Sequence, residues 1–163
     1  MLRAAAGGTR IGDGPAARRA VVRYVSAVAV GNLVWEVVQL PLFTLWRTAG
    51  AAYLAFAALH CWVGDLLIGS ASLGLGIIIA GRFWPTSGYV RVAAVTVVLG
   101  VAYTVFSEWL NVAVRETWAY APGMSRVPPL GTGLSPLLQW IVVPLGAFAW
   151  AQPHPAPTER RSR

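Results

Sequence analysis

The chain has 163 residues, enough for one domain, of which 56% are hydrophobic and only 12% are charged. A soluble domain of this length carries about twice that charged fraction, so the composition excludes an ordinary soluble domain and predicts that the chain lies in lipid. All thirteen basic residues are arginine, and against six acids they give a formal charge of +7. Nucleic-acid-binding proteins share this balance, but in so apolar a chain the excess of arginine indicates membrane orientation, and no nucleic-acid partner is predicted.

The first predicted element is a basic tail at residues 1–19, rich in glycine, alanine and arginine, which we expect to be disordered. It does not begin a typical signal peptide. The apolar stretch that follows runs into Glu36 and Gln39, where a small-residue cleavage site would be needed.

Four apolar segments follow, each near or above the roughly 20 residues that a helix needs to cross the hydrocarbon core. We expect transmembrane helices at about 21–46, 51–80, 90–112 and 134–151, with a second tail at 152–163. The predicted fold class is therefore all-α, an integral membrane four-helix bundle.

The longest predicted connection spans residues 113–133 and contains Trp118, Tyr120 and the step Pro128-Pro129. Its length and rigid proline step suit a lid over the mouth of a site. The same aromatic residues also suit an anchor at the membrane interface. Both interpretations stay open.

The arginines are divided unevenly between the two sides that these spans define. Ten lie on the side of the two tails and the loop after the second span: Arg3, Arg10, Arg18, Arg19, Arg23, Arg82, Arg91, Arg160, Arg161 and Arg163. Only Arg47, Arg115 and Arg126 lie on the other side. The positive-inside rule therefore predicts a multi-pass protein of the inner membrane with both termini in the cytoplasm.

Three acids, Glu36, Asp65 and Glu108, lie inside predicted spans. A charge at membrane depth costs about 2.5 to 3.5 kcal/mol on insertion scales, so such residues indicate a functional site. Two polar stripes with i, i+4, i+7 spacing contain the glutamates, which places each stripe on one helical face. The stripes are Asn32, Glu36 and Gln39 on the first span, and Thr104, Glu108, Asn111 and Arg115 on the third.

At a rise of roughly 1.5 Å per residue, these polar residues lie at similar heights along their spans. They can therefore meet near the outer face. We expect an outward-opening cavity with this wall: Asn32, Glu36, Gln39, His60, Glu108, Asn111 and Gln139. Asp65 points roughly 140° away from His60 around the second helix, so it should form the floor or a separate contact. Arg115 is the expected ion-pair partner of Glu108.

Three functions fit such a cavity. The first is an enzyme acting on a lipid or isoprenoid, with Glu36 and Glu108 as general acid and base and His60 as proton relay. The second is transport or binding of protons, a metal ion or a small hydrophobic solute, and the third is a structural subunit that pairs with itself or another membrane protein. The predicted binding residues are Asn32, Gln39, Asp65, Asn111, Gln139, Trp118 and Tyr120.

The metal-binding signal is weak. Glu36, His60 and Glu108 carry suitable ligand atoms, but their spacing is not specific, and the single cysteine, Cys61, excludes a CxxC motif. We predict no metal site, and the sequence indicates no particular cofactor.

Four blocks of the chain resemble a family of small, uncharacterised bacterial four-helix inner-membrane proteins. They are Trp35–Leu42 (WEVVQLPL), His60–Asp65 (HCWVGD), Ser107–Asn111 (SEWLN) and Pro128–Trp140 (PPLGTGLSPLLQW). The likeness covers about residues 31–144 and implies a bacterial membrane protein without implying an activity. Asn32–Glu36 is also faintly similar to membrane-embedded terpene cyclases, whose intramembrane acids protonate an isoprenoid.

Overall fold

The computed structural model describes residues 14–81 and 83–152. Most of both predicted tails, and Arg82, lie outside the described residues. The prediction of four long apolar helices in a mostly helical chain is confirmed. The helices are α1 (Pro15–Gln39), the short α2 (Leu45–Thr48), α3 (Ala51–Ala80), α4 (Tyr89–Glu108) and α5 (Leu134–Ala151).

Shorter elements complete the connections. A 3-10 turn, Leu40–Leu42, extends α1, and a π-helical turn, Trp109–Val114, extends α4. Within the long connection, strands β1 (Arg126–Val127) and β2 (Thr132–Gly133) form a small antiparallel ribbon. With these extensions, each of the four long helices is long and apolar enough to cross a membrane.

Helix α1 begins six residues before the predicted start of the first span. Pro15 occupies its first position, where the missing N–H of proline leaves no hydrogen bond unmade. The alanines and arginines that follow favour helix. Arg18, Arg19 and Arg23 are therefore carried on the first turns of α1, and only residues 1–13 of the basic tail lie outside the described structure.

The four long helices form a ring in which α1 and α4 each pack against both α3 and α5. Neighbours run antiparallel. For example, Tyr24 packs on Phe148 near one end of the α1–α5 pair, whereas Trp35 bonds to Ser135 near the other. We call the end of the bundle that carries Pro15 and Ala151 the terminal end, and the opposite end the loop end.

The apolar core lies toward the terminal end. Its members are Ala20, Tyr24, Val28, Leu73, Trp84, Val92, Ala147, Phe148 and Ala151. Two glycines on α3 allow the helices to pack closely in this core, because a side chain at either position would meet a neighbouring helix. A Cβ at Gly76 would lie 2.6 Å from Thr96 Oγ1, and one at Gly69 would lie 3.0 Å from Val28 Cγ1. Gly64 and Gly74 differ, because a Cβ at either would meet nothing within 4 Å.

The outer surface of the bundle is strongly apolar. Ile78 and Val90 are 78% and 79% exposed, and Val38 and Leu67 are similarly open. Exposed aliphatic side chains on every long helix are unfavourable in water but favourable against lipid chains. The bundle is therefore suited to a membrane, with its polar groups turned inward.

Candidate functional site

Gln139 is the centre of a buried polar network in the loop half of the bundle. Its amide nitrogen lies 3.0 Å from Glu36 Oε1, 2.9 Å from Asp65 Oδ2 and 3.3 Å from Asn32 Oδ1. An amide nitrogen carries only two hydrogens, so the three acceptors share them. Gln139 is 2% exposed, and through it α5 is joined to both α1 and α3.

Glu36 and Asp65 form a carboxyl pair around this amide. Glu36 Oε1 also accepts a hydrogen bond of 2.8 Å from Gln39 Nε2, and the two carboxyl groups are hydrogen-bonding partners of each other. A hydrogen bond between two carboxyl groups requires a proton on one of them. The pair is therefore arranged to hold one proton in common, because two carboxylates in close contact would repel each other.

Two further residues extend the network and are absent from the sequence prediction. Ser135 donates to Gln39 Oε1 at 3.0 Å and accepts from Trp35 Nε1 at 3.1 Å. Ser135 precedes Gln139 by four residues, so the same helical spacing that identifies the other stripes contains a signal for it.

Glu108 belongs to a second polar cluster, built with the long connection. Its carboxylate accepts a hydrogen bond from the Tyr120 hydroxyl, which in turn accepts one of 2.8 Å from the Gly133 N–H. Burial raises the pKa of Tyr120, and its contact with Glu108 raises that pKa further. The phenol therefore stays protonated and remains a donor. The indole nitrogen of Trp118 also interacts with Glu108, but it is buried without a well-formed hydrogen bond.

The π-helical turn alters the register of the polar stripe on α4. A π turn adds residues per turn, so Asn111 and Arg115 do not keep the α-helical spacing from Glu108. Asn111 bonds back to Ser107 O at 2.9 Å. Arg115 is exposed, and Glu108 is paired with Tyr120 in its place. In place of the predicted Glu108–Arg115 ion pair, Glu108 accepts a hydrogen bond from the Tyr120 hydroxyl.

The long connection is fastened across the loop end. Thr44 N donates to Ala119 O and Ala121 N donates to Leu42 O, both at 2.9 Å, so the connection pairs with the linker between α1 and α3. Tyr120 reaches into the bundle from this segment and is 6% exposed. The lid and the interfacial anchor both stay predictions for this connection.

A cavity of about 360 Å³ lies between the two polar clusters. Of the ten predicted site residues, eight line it: Glu36, Gln39, His60, Asp65, Glu108, Asn111, Trp118 and Gln139. Asn32 and Tyr120 lie outside the wall. Asn32 is hydrogen-bonded to Gln139 and Tyr120 to Glu108, and both of these partners line the cavity. The rest of the wall is largely apolar and includes Ile68, Tyr103 and Trp140.

His60 and Asp65 both line this cavity, although they point in different directions around α3. A space of this size is wide enough to be bordered by residues on two sides of one helix. Asp65 is at the network, as expected for the floor, whereas His60 is exposed and stacks on Phe56 with ring centroids 5.7 Å apart. A relay role for His60 stays a prediction.

Three carboxyl groups, the imidazole of His60 and the guanidinium of the exposed Arg115 supply the chemistry available in the cavity. Within residues 14–81 and 83–152, no group of three or more His, Cys, Asp or Glu side chains is placed to hold a metal ion. Carboxyls surrounded by amides, a phenol and apolar side chains are suited to proton transfer and hydrogen bonding. The chain matches no protein-family model, no curated protein and no solved structure.

Proposed function

We propose that this chain is a bacterial inner-membrane enzyme that binds a lipid or isoprenoid in the cavity and moves protons to and from it. The observation that carries the proposal is that three carboxyl groups border one largely apolar cavity and are bonded to amides and a phenol instead of arginine. Carboxyls held in this way are not neutralised by a structural ion pair, so they are available to a bound molecule. Membership of the family that the four sequence blocks resemble is part of the proposal.

The two polar clusters support different roles for the two glutamates. Glu36 shares a proton with Asp65, which suits it to be the general acid. Glu108 accepts a hydrogen bond from Tyr120, and this acceptor role suits it to be the general base. The separate environments give two carboxyls opposite tasks in one site.

Proton or ion transport is less well supported. A relay through the membrane needs polar groups along the whole bundle. In the described part of the chain, the buried acids all lie in the loop half. The terminal half is filled by the apolar core, where the buried side-chain polar groups of the described residues are those of Ser72, Thr96, Tyr24 and Trp84 and include no acid. The polar cavity is therefore closed on that side.

The enzyme proposal is tested with purified protein in vesicles made from native lipid extract in D2O. Lipids are followed by mass spectrometry for conversion and deuterium uptake. We expect wild type to alter one lipid species, and Glu36→Gln and Glu108→Gln to lower that rate by about 10²-fold or more, because each removes a group that exchanges protons.

Glu116→Gln is the matched control, since Glu116 is an exposed acid beyond the π turn and is not part of the cavity wall. It should keep the wild-type rate. Equal rates for wild type and both glutamate variants, or no lipid change with wild type, would overturn the enzyme proposal.

The orientation is tested by cysteine labelling in a Cys61→Ala background. We propose that the loop end faces outward, so Ser125→Cys, on an exposed residue of the long connection, should react with a membrane-impermeant maleimide on intact cells. Ser87→Cys, exposed between α3 and α4, should react only after the cells are permeabilised. The reverse pattern would contradict cytoplasmic termini.

A further inference from the structure

The cavity is covered at the loop end. Phe43 and Leu45 from the linker and Trp118 from the long connection line it there, and the linker and connection are hydrogen-bonded to each other. Entry along the bundle axis would require this paired structure to separate.

The side of the bundle between α3 and α4 is different. These two helices pack closely in the terminal half, where a Cβ at Gly76 would lie 2.6 Å from Thr96 Oγ1 and a Cβ at Gly81, just after α3, would lie 2.7 Å from Val92 Cγ2. In the loop half, the cavity occupies the space between them. His60 and Tyr103 line the cavity there and are exposed, Tyr103 by 46%. Each ring also packs on an exposed ring outside the cavity wall, His60 on Phe56 and Tyr103 on Phe106. The cavity therefore reaches the lateral surface.

Small side chains create the passage on the α3 side. Ala57, Cys61 and Gly64 line the cavity in successive turns, and a Cβ at Gly64 would meet nothing within 4 Å. Tyr103 and Ile68 add apolar wall. A passage of this composition suits a hydrocarbon chain.

The polar groups in the wall select the head of the bound molecule. Glu36, Asp65 and Glu108 are acceptors when ionised, and they outnumber the arginine in the wall, the exposed Arg115. The wall therefore favours a head that donates a hydrogen bond and disfavours an anionic one. The Trp118 indole N–H lines the same cavity, and its contact with Glu108 falls short of a well-formed hydrogen bond, so it can donate to a bound head. A hydroxyl group both donates and accepts, and therefore meets both demands.

We infer that an amphiphile with a hydroxyl head and an apolar chain enters this cavity sideways from the lipid, between α3 and α4. This inference rests on the proposed function and names its substrate class. Gly64 lines this passage with open space beside its Cα, so a leucine side chain there should fill the space and block entry.

The test uses three long-chain probes that carry the same diazirine and end in a hydroxyl, an amine or a carboxylate, each in phosphatidylcholine vesicles with the protein. After illumination, adducts are located by mass spectrometry. We expect the hydroxyl probe to label Glu36 or Asp65, and the carboxylate probe to label them roughly tenfold less, because like charges repel.

Gly64→Leu should abolish this labelling. Gly74→Leu is the matched control, since Gly74 lies on the same helix with equally open space but outside the cavity wall, and it should label like wild type. Thermal unfolding of both variants verifies that they fold.

Equal labelling of the Gly64→Leu variant and wild type, adducts confined to surface residues such as Leu67 and Val98, or preference for the amine or carboxylate probe would overturn the inference. Hydroxyl-probe adducts in the cavity without conversion of any native lipid would count against the enzyme proposal alone. Conversion without cavity adducts would count against lateral entry alone.

Discussion

Replacing Gln139 with leucine will lower the free energy of unfolding by about 3 to 5 kcal/mol. Leucine is similar in size but donates no hydrogen bond, so Asn32, Glu36 and Asp65 each lose the amide that they share. A buried acceptor left without a donor loses its full desolvation energy, typically about 1 to 3 kcal/mol. The effect is large because one side chain serves acceptors on two helices.

Unfolding in detergent, followed by tryptophan fluorescence, measures this loss. Gln152→Leu makes the same change at an exposed position beyond α5 and should leave stability unchanged. Adding Glu36→Leu and Asp65→Leu to Gln139→Leu should recover much of the stability, since apolar groups then replace both partners. A loss below about 1 kcal/mol for Gln139→Leu would show that the network contributes little.

Gly100→Ala will also destabilise the bundle, by about 1 to 3 kcal/mol or more. A Cβ at Gly100 would lie 2.4 Å from Cε3 of Trp140, so the ring has to move. Trp140 is 4% exposed and lines the cavity, and its displacement should change the cavity shape and lower any activity as well.

Gly146→Ala on α5 is the control, and it should change the free energy of unfolding in the opposite direction. A Cβ there meets nothing within 4 Å, so alanine should stabilise the helix by roughly 0.5 to 1 kcal/mol. Thermal unfolding of the two variants against wild type gives both values. Equal stability of Gly100→Ala and wild type would contradict the close contact between α4 and Trp140.

The helices could be predicted because an apolar segment of about 20 residues satisfies its backbone hydrogen bonds internally only as a helix. The polar faces could be predicted because helical spacing places Asn32, Glu36 and Gln39 on one side of α1. The structure brings Glu36 and Gln39 to one cavity with Glu108 and Gln139, whereas Asn32 lies outside the wall and is bonded to Gln139. Their function stays a prediction, since placement alone does not identify a reaction.

The remaining details depend on contacts between segments far apart in sequence. The π turn after Glu108 changes the direction in which Arg115 points, and ideal α-helical spacing does not predict that change. Tyr120 reaches Glu108 only because the long connection pairs with the linker after α1. Ser135 lies four residues before Gln139, so helical spacing could have predicted it. Trp35 is identified only by its contact with Ser135.

The position of Gln139 has a consequence for how the protein is made. Glu36 and Asp65 belong to the first two spans to emerge from the ribosome, whereas the amide that bonds both is on the last. Until α5 is inserted, those carboxyls lack this donor at membrane depth, where a charge is costly. Synthesis halted after the α1–α3 hairpin should therefore leave a product that is retained by the insertion machinery or degraded, and completion of α5 should release it.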